Sequence, residues 1–405
     1  MFPGLNSYQR FVLIIAWFGW VFDVMEASFF GLTKKAMLTE MLGSSGYAKS
    51  GQGWEGWIQA AMLIGWALGG LIFGIVADRW GRSKTLILTV FLYCLFTGLT
   101  SLCQNPGQVF AARFLTGLGI GGEWAAGAAL IAETMPDNFR ARAAAYLQTA
   151  AALGSIIGVL ISIRVGELNW RLVYVAGIFP AVICLIARFR LKPDVPSEHE
   201  RKSNVLVELV RTKPYNNFLL LAIFIGIVGI TGGGLLPFWL PNFVKLYVPA
   251  AELPYWKNLS LILLHIGTFL GVLTFPPLTD RFGRRPMFAL FGAVAGIMLL
   301  ITTKATHNLT SLLIFAPITS FFALGLTAGF ALYFTELFAH RFRATGSGVA
   351  YNIGRILSAP IAIFIGNRAD AVGIGTAVAP FAFLYIILIV AIYFAPETRG
   401  KPLEA

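Results

Sequence analysis

The sequence predicts an all-α membrane protein with about twelve transmembrane helices, arranged in two pseudo-symmetric six-helix bundles. Mean hydropathy is +0.74, and charged residues make up 12% of the chain, about half of their share in soluble domains. Apolar runs of about 20 residues follow one another, and each is long enough to cross the hydrocarbon core of a bilayer. Two polar turns of nearly the same sequence, about 200 residues apart, indicate two related halves.

The two turns read DRWGR at 78–82 and DRFGR at 280–284, and each lies between two apolar runs. The glycine after the Asp-Arg pair permits a tight reversal with positive φ. Three further pairs of similar residues lie 203 positions apart: Glu133 and Glu336, Arg140 and Arg343, and Asp194 and Glu397. One constant spacing across several landmarks indicates a duplication in which the two halves run in parallel.

The duplication predicts an N-terminal bundle at 1–190 and a C-terminal bundle with a short cytoplasmic tail at 216–405. A cytoplasmic linker at 191–215 joins them. Its segment SNVLVELVRT has the pattern of a small amphipathic helix that lies on the inner membrane surface.

Twelve apolar runs follow in order, with an external loop at 34–54. The predicted spans cover residues 11–33, 55–77, 85–103, 107–134, 143–166, 170–190, 216–246, 258–278, 286–304, 308–337, 344–367 and 374–395. Glycine and alanine in the fourth span permit close helix contact. The seventh span is interrupted by TGGGLLPFWLP, whose glycines and prolines free backbone groups that lipid cannot satisfy. Such a break is tolerated only against protein or a wet cavity.

Basic residues are unevenly placed between the two sets of loops. Twenty Lys and Arg fall on the side of the two matching turns and nine on the other, so both termini are predicted to be cytoplasmic. We therefore attribute the net charge of +12 to the orientation of the chain in a plasma (inner) membrane, where it contacts lipid. Binding of nucleic acid is not expected. The three cysteines match no metal-site spacing, so no metal or other cofactor is expected.

These motifs resemble the major facilitator superfamily along nearly the whole chain. The resemblance rests on both DRxGR turns, on IAET and TELF followed by RATGSG, and on the closing PETRG. Within that family, RFLTGLGIGGEW and RATGSGVAYNIGR are most similar to metabolite–proton symporters and to related organic-ion and sugar porters. The fifth span lacks the GPxxGG motif of drug–proton antiporters. The resemblance implies a monomeric transporter that moves a small molecule by alternating access between the two bundles.

The resemblance also implies a gate at the cytoplasmic ends of the helices, where charged pairs form when the inner side is shut and break when it opens. The gate residues would be Asp78, Arg79, Arg82, Glu133, Arg140, Asp280, Arg281, Arg284, Glu336, Arg343 and Glu397. The first half has PDVPSE where the second has PETRG, which predicts an asymmetric gate.

Charged residues within the apolar runs are candidates for proton coupling, since an ionised group at the bilayer centre costs at least about 2.5–3.5 kcal/mol. Asp23 and Arg113 are expected at similar depth, roughly 18 and 21 Å from the inner side. Proton-coupled sugar porters are similar in pairing an acid of the first span with an arginine of the fourth. Asp23 would carry the proton and Arg113 would be its counter-charge, unless the two form a permanent ion pair. Glu26, on the same face, would share the proton, replace Asp23 as its carrier, or line the mouth near the outer surface. Glu123 would serve in coupling or gating, or in a structural hydrogen bond within the bundle.

Arg355 is expected near the midplane, roughly 15 Å deep. The segment GRILSAP resembles organic-anion carriers, in which this arginine faces an anionic substrate, and a guanidinium offers two parallel donors to a carboxylate. The alternative is a buried partner for an acid elsewhere. His265 would couple a proton or be a core histidine. The remaining substrate contacts predicted, each with packing as its alternative, are Gln148, Asn352, Tyr351, Trp239, Asn242 and Tyr333.

Together these residues favour proton-coupled symport of a small organic anion, with the proton as coupling ion. A sugar or polyol symporter, an organic-cation carrier and a non-transporting nutrient sensor are the alternatives. An enzyme is not expected, because no nucleophile, base and orienting group lie at recognisable spacing.

Overall fold

Residues 5–166, 169–188 and 205–400 are described by the computed structural model, and within these ranges the chain is helical and contains no β-strand. The first half consists of α1 Ser7–Trp80, α2 Arg82–Thr100, α3 Pro106–Thr134, α4 Asp137–Ile161 and α5 Trp170–Arg188. The short helix α6 spans Val205–Arg211. The second half consists of α7 Tyr215–Val244, α8 Leu253–Phe282, α9 Arg284–Leu300, α10 Leu309–Leu337, α11 His340–Val372, α12 Ile374–Val378 and α13 Leu384–Phe394.

The predicted external loop at 34–54 is wrong, because α1 is helical through this segment apart from Gly43. Gly43 has φ 72° and ψ 164°, which breaks α1 into a first arm, 7–42, and a second arm, 44–80. The segment is rich in Lys, Ala, Leu, Met and Glu, which favour helix even where hydropathy falls. Hydropathy locates where the chain leaves the lipid, not where a helix ends.

The count of about twelve spans is confirmed. Among the described residues, nine helical segments are long and apolar enough to cross a membrane, and the first of these contains both arms of α1. The helices α3 and α5, of 29 and 19 residues, are each long enough to add one crossing, which brings the count to twelve. The architecture is therefore that of two six-helix bundles.

Small residues bring equivalent helices together in both halves. A Cβ added at Gly65 or Gly69 of α1 would lie 2.0 Å from a carbonyl oxygen of α3. The same Cβ at Gly267 or Gly271 of α8 would lie 2.2 or 2.1 Å from a carbonyl of α10. These two pairs are 202 residues apart. The duplication seen in the turns is thus repeated in helix packing, where only glycine permits so close a backbone approach.

We call the end of the bundle that carries the two DRxGR turns the hairpin end, and the opposite end the far end. The hairpin end carries Gly81 and Gly283, with φ values of 97° and 103°, as expected for tight reversals that need glycine. The far end carries Gly43 and Gly373, with φ values of 72° and 81°. The helix α6 belongs to the segment between the halves and buries Leu209 in the main hydrophobic core.

Candidate functional site

A buried arginine–carboxylate cluster lies within the first half. Arg113 and Glu26 are 0% and 1% exposed and form an ion pair between guanidinium NH1 and carboxylate Oε1. The hydroxyl of Thr97 donates to the same carboxylate oxygen at 3.0 Å. Asp23, three residues earlier in α1, is also fully buried. The ion pair described for Arg113 is therefore with Glu26, whereas depth alone suggested Asp23 as its counterpart.

Depth estimates could not distinguish Asp23 from Glu26, because three residues of helix rise span only about 4.5 Å. Glu123 is buried in α3, but it lies ten residues beyond Arg113. That spacing is about 15 Å along the helix, so Glu123 is not part of the Arg113 cluster.

A second cluster surrounds Arg355 where the two halves meet. The guanidinium carbon lies 4.3 Å from the ring centroid of Trp66 in the first half and 4.1 Å from that of Tyr351 in the second. Its NH1 donates to Asn352 Oδ1 at 3.2 Å, and Asn352 donates in turn to the Gly348 carbonyl at 2.9 Å. Arg355 is 4% exposed. Among the side chains that the structure describes, no carboxylate lies within the 4.0 Å limit of an ion pair with it.

Three other predicted substrate contacts lie elsewhere. The Gln148 side chain donates to the Thr327 carbonyl of the other half at 3.5 Å, so it bridges the halves. His265 is buried in α8. Tyr333 is fully buried and donates its hydroxyl to the Pro396 carbonyl at 2.7 Å, at the hairpin end. The Tyr333 hydroxyl is therefore used in packing the tail, which was the alternative to a substrate contact.

Trp239 and Asn242 belong to a third cluster, the far-end cluster, which the sequence did not reveal. Its centre is an ion pair of 2.8 Å between Lys34 Nζ and Glu55 Oε2, and these side chains are 3% and 0% exposed. Lys34 also donates to the Phe238 carbonyl at 3.0 Å and lies 3.9 and 4.3 Å from the ring centroids of Phe238 and Trp239. Asn242 donates to Glu55 Oε2 at 3.5 Å. The one sequence signal was Glu55, an acid within an otherwise apolar run.

A charged clasp closes the hairpin end of the second half. Arg284 makes two bonds to Glu336, of 2.7 and 3.1 Å, and one of 2.6 Å to Asp280. Thr398 donates to Glu336 at 2.5 Å. A bidentate, charge-assisted contact is stronger and more directional than a simple ion pair. The described clasp thus joins α8, α9, α10 and the tail.

Glu397 completes the clasp by accepting hydrogen bonds from the backbone. Its two oxygens accept from the amides of Arg284 and Arg285 at 3.0 and 3.1 Å, and Arg399 adds a third bond at 3.0 Å. Burial acts to raise the pKa of this carboxyl, but the backbone donors outweigh it and hold the pKa below its ordinary value of 4.5. Glu397 therefore stays ionised and fixes the α8–α9 turn to the tail.

The clasp is the described part of the gate expected from sequence. Its described contacts lie within the second half, and Arg281 is exposed with its guanidinium carbon 5.2 Å from the Phe282 ring centroid. The other predicted gate side chains lie outside the described residues: Asp78, Arg79, Arg82, Glu133, Arg140 and Arg343. Asp194 and the PDVPSE segment lie outside them as well.

Loss of the Glu336 carboxylate should destabilise the second half. In Glu336→Gln, Arg284 keeps its charge but loses a bidentate partner while 8% exposed, and breaking a buried pair on one side costs up to about 3–5 kcal/mol. We expect the unfolding temperature of the purified protein in detergent to fall by several degrees. Arg281→Gln, which changes an exposed arginine of the same turn, is the matched control. Equal unfolding temperatures for the Glu336→Gln variant and the native chain would show that the clasp is not stabilising.

Comparison with known proteins now adds to this geometry. Residues 16–253, more than half of the chain, match the family described as Major Facilitator Superfamily. The chain belongs to this superfamily. Residues 200–405 also match the family described as Sugar (and other) transporter. As a facilitator-superfamily member, the chain is a multi-pass membrane transporter for a small molecule and not an enzyme.

Relatives within the superfamily cover nearly the whole chain. A protein of Cupriavidus pinatubonensis named "Probable 4-methylmuconolactone transporter" is 30% identical, over 95% of this chain and 90% of its own length. The "Cis,cis-muconate transport protein" of Acinetobacter baylyi is 26% identical, over 86% of this chain and 87% of its own. A solved structure of a D-xylose–proton symporter has a TM-score of 0.76 at 16% identity, covering 98% of this chain and all of the other. That similarity confirms the fold.

Proposed function

We propose that this transporter couples proton entry to the uptake of a small organic anion that carries a carboxylate. The observation that carries the proposal is Arg355, a buried cation at the contact between the two halves. Its described partners are two aromatic rings and one amide oxygen, and none of them neutralises its charge. Burying a cation in this way is costly unless an anion binds it for part of the cycle.

The surroundings of Arg355 suit a carboxylate. A guanidinium offers parallel donors that match the two oxygens of a carboxylate, and it remains charged under all physiological conditions. Trp66 comes from the first half and Tyr351 from the second, so a ligand bound here would contact both halves. A site that both halves share is what alternating access requires. The muconate named for one relative is itself a carboxylate.

The Glu26–Arg113 pair is the proposed proton site. Protonation of Glu26 would remove the charge that Arg113 now contacts and would release the carboxyl from the guanidinium. Asp23 lies three residues away on the same helix face and is equally buried, so it provides a second carboxyl that can receive the proton. Glu26 therefore replaces Asp23 as the first candidate for the carrier, and Arg113 remains the counter-charge.

The hairpin end is assigned to the cytoplasm of a cell with a plasma (inner) membrane. The excess of Lys and Arg on that side supports this assignment, since basic loops are retained inside. Both termini would then be cytoplasmic, and the far end would face outwards. A monomer provides both halves of the site, so no second copy is needed.

Uptake into proteoliposomes tests the proposal. Labelled cis,cis-muconate and benzoate should accumulate above their level in protein-free liposomes, which benzoic acid crosses unaided, when the interior is made alkaline. This excess should disappear when an ionophore removes the gradient. The neutral amide benzamide and the sugar xylose are the comparison solutes. Accumulation of xylose without uptake of either carboxylate would contradict the proposal and favour the sugar symporter, which the match to Sugar (and other) transporter keeps as second candidate.

A further inference from the structure

The far-end cluster joins the two halves. Lys34 and Glu55 belong to the arms of α1, whereas Phe238, Trp239 and Asn242 belong to α7 of the second half. Every partner described for Lys34 other than Glu55 comes from this part of α7. This glycine- and proline-rich segment was predicted to break the seventh span, and that prediction is wrong, because α7 is helical through it with both prolines inside the helix. It thus receives a buried cation from the first half.

The backbones also meet at the far end. A Cβ added at Gly56 of α1 would lie 2.5 Å from the Ala362 carbonyl oxygen of α11, and one at Gly366 would lie 2.5 Å from the Gln52 carbonyl oxygen. Helices this close leave no passage between them. The two halves are therefore in contact at the far end along α1 and α11, and an anion that passes between these two helices must separate these contacts.

We propose that Lys34 and Glu55, which pair with each other within the first half and contact Phe238, Trp239 and Asn242 of the second, are the latch that holds the two halves together at the far end. An entering carboxylate opens this latch by replacing Glu55 on Lys34. The exchange of carboxylates on Lys34 rests on the proposed anion transport, whereas the latch itself does not depend on it. Removing one member of a buried ion pair leaves an uncompensated charge. The pair therefore resists separation until another anion is supplied.

Glu55 and Lys34 differ in the other contacts that each would retain if the ion pair separated. Glu55 would retain a hydrogen bond of 2.6 Å from the Tyr47 hydroxyl and the contact with Asn242. Lys34 would retain one carbonyl and two rings, and among the described side chains Glu55 is the one carboxylate within ion-pair distance of it. Exchange of one carboxylate for another on Lys34 is therefore less costly than simple separation.

A cavity lies near the latch. It has a volume of about 590 Å³ at the far end and is lined by Lys49, Trp54, Asn367 and Asp370, among others. Asp370 accepts a hydrogen bond of 2.8 Å from Gln52. Gln52 accepts one of 3.2 Å from Asn242, which also contacts Glu55. The cavity wall is thus linked to the latch through two amide side chains, and Lys49 places a positive charge at its mouth.

Cross-linking across the far end tests the latch. A Cβ at Gly53 would lie 2.9 Å from Asn367 Oδ1, so Gly53→Cys with Asn367→Cys should form a disulfide when this end is closed. The assay uses the full chain with its three native cysteines replaced by alanine. Lys34→Gln or Glu55→Gln should slow cross-linking about tenfold or more. Arg171→Gln, which breaks a pair of 2.6 Å with Glu40 whose described partners all lie in the first half, is the matched control and should not slow it.

Benzoate tests the exchange, with neutral benzamide as its control. Benzoate should slow cross-linking in the otherwise native chain in a dose-dependent way, and benzamide should not. Lys34→Gln should remove this dependence, and Glu55→Gln should lower the benzoate concentration needed for half of the effect. Native-like cross-linking in Lys34→Gln would overturn the latch. An unchanged or higher half-effect concentration in Glu55→Gln, or no benzoate effect in the native chain, would overturn the exchange.

The variant Arg355→Gln separates this inference from the proposed function. If benzoate still slows cross-linking in Arg355→Gln, the anion acts at Lys34, and the latch stands even if Arg355 proves not to bind the transported molecule. If the benzoate effect disappears in Arg355→Gln and persists in Lys34→Gln, the anion acts at Arg355 and the exchange on Lys34 is wrong.

Discussion

Replacing Arg355 with glutamine should weaken binding of the transported carboxylate by roughly 30-fold to 3,000-fold. The range follows from the loss of one partner of a buried charge pair, which costs about 2–5 kcal/mol at 1.4 kcal/mol per tenfold. Glutamine has donors on one nitrogen only, so it keeps neither the charge nor the second parallel hydrogen bond. Equilibrium binding of labelled cis,cis-muconate to the purified protein measures the effect.

A second arginine of the same helix supplies the control. Arg368 is exposed, with its guanidinium carbon 6.0 Å from the Phe364 ring centroid, so Arg368→Gln should leave the affinity unchanged. Arg355→Lys should give an intermediate loss, because it keeps the charge but not the planar pair of donors. Equal affinities for the native chain and for Arg355→Gln would exclude Arg355 as the carboxylate site.

Replacing Glu26 with glutamine should abolish accumulation of the carboxylate against its gradient while preserving exchange. Glutamine has nearly the same shape and can still accept hydrogen bonds from Arg113 and Thr97, but it cannot bind and release a proton. Without that step the pH gradient no longer drives transport, so the internal and external concentrations should become equal. The measurement is uptake driven by an alkaline interior, beside counterflow between labelled and unlabelled solute.

Counterflow shows that the variant is folded and can change conformation, so only the coupling is lost. The parallel variant Asp23→Asn assigns the carrier between the two buried acids. Loss of accumulation in Glu26→Gln with retention in Asp23→Asn is the expected result. The reverse pattern would move the proton to Asp23, and accumulation in both variants would exclude this cluster from coupling.

The periodic features of the fold could be predicted because they are written into local sequence. The DRxGR turns, each with a glycine at positive φ, and the apolar runs between them are determined by nearby residues. The duplication could be read from residues 203 apart, and the structure extends it to the glycines at 65, 69, 267 and 271. Repeated spacing is independent of how the helices later pack.

The partners of the buried charges could not be predicted, because they depend on helix rotation and on contacts between distant segments. Depth along a helix placed Arg113 beside the first span but could not choose between Asp23 and Glu26, which are less than one turn apart. Lys34 was placed in a loop because hydropathy fell there, whereas the helix continues and its charge is met by Glu55. Tyr333 was expected in a cavity, and the tail that takes its hydroxyl lies 63 residues further along the chain.

The central claim is that the buried cation at the meeting of the halves binds the transported anion, and ligand-dependent stability tests it most directly. A ligand that binds the folded protein raises its unfolding temperature with dose. Increasing cis,cis-muconate should therefore raise the unfolding temperature of the native protein and of Arg368→Gln, but not that of Arg355→Gln. The same rise in Arg355→Gln would contradict the account.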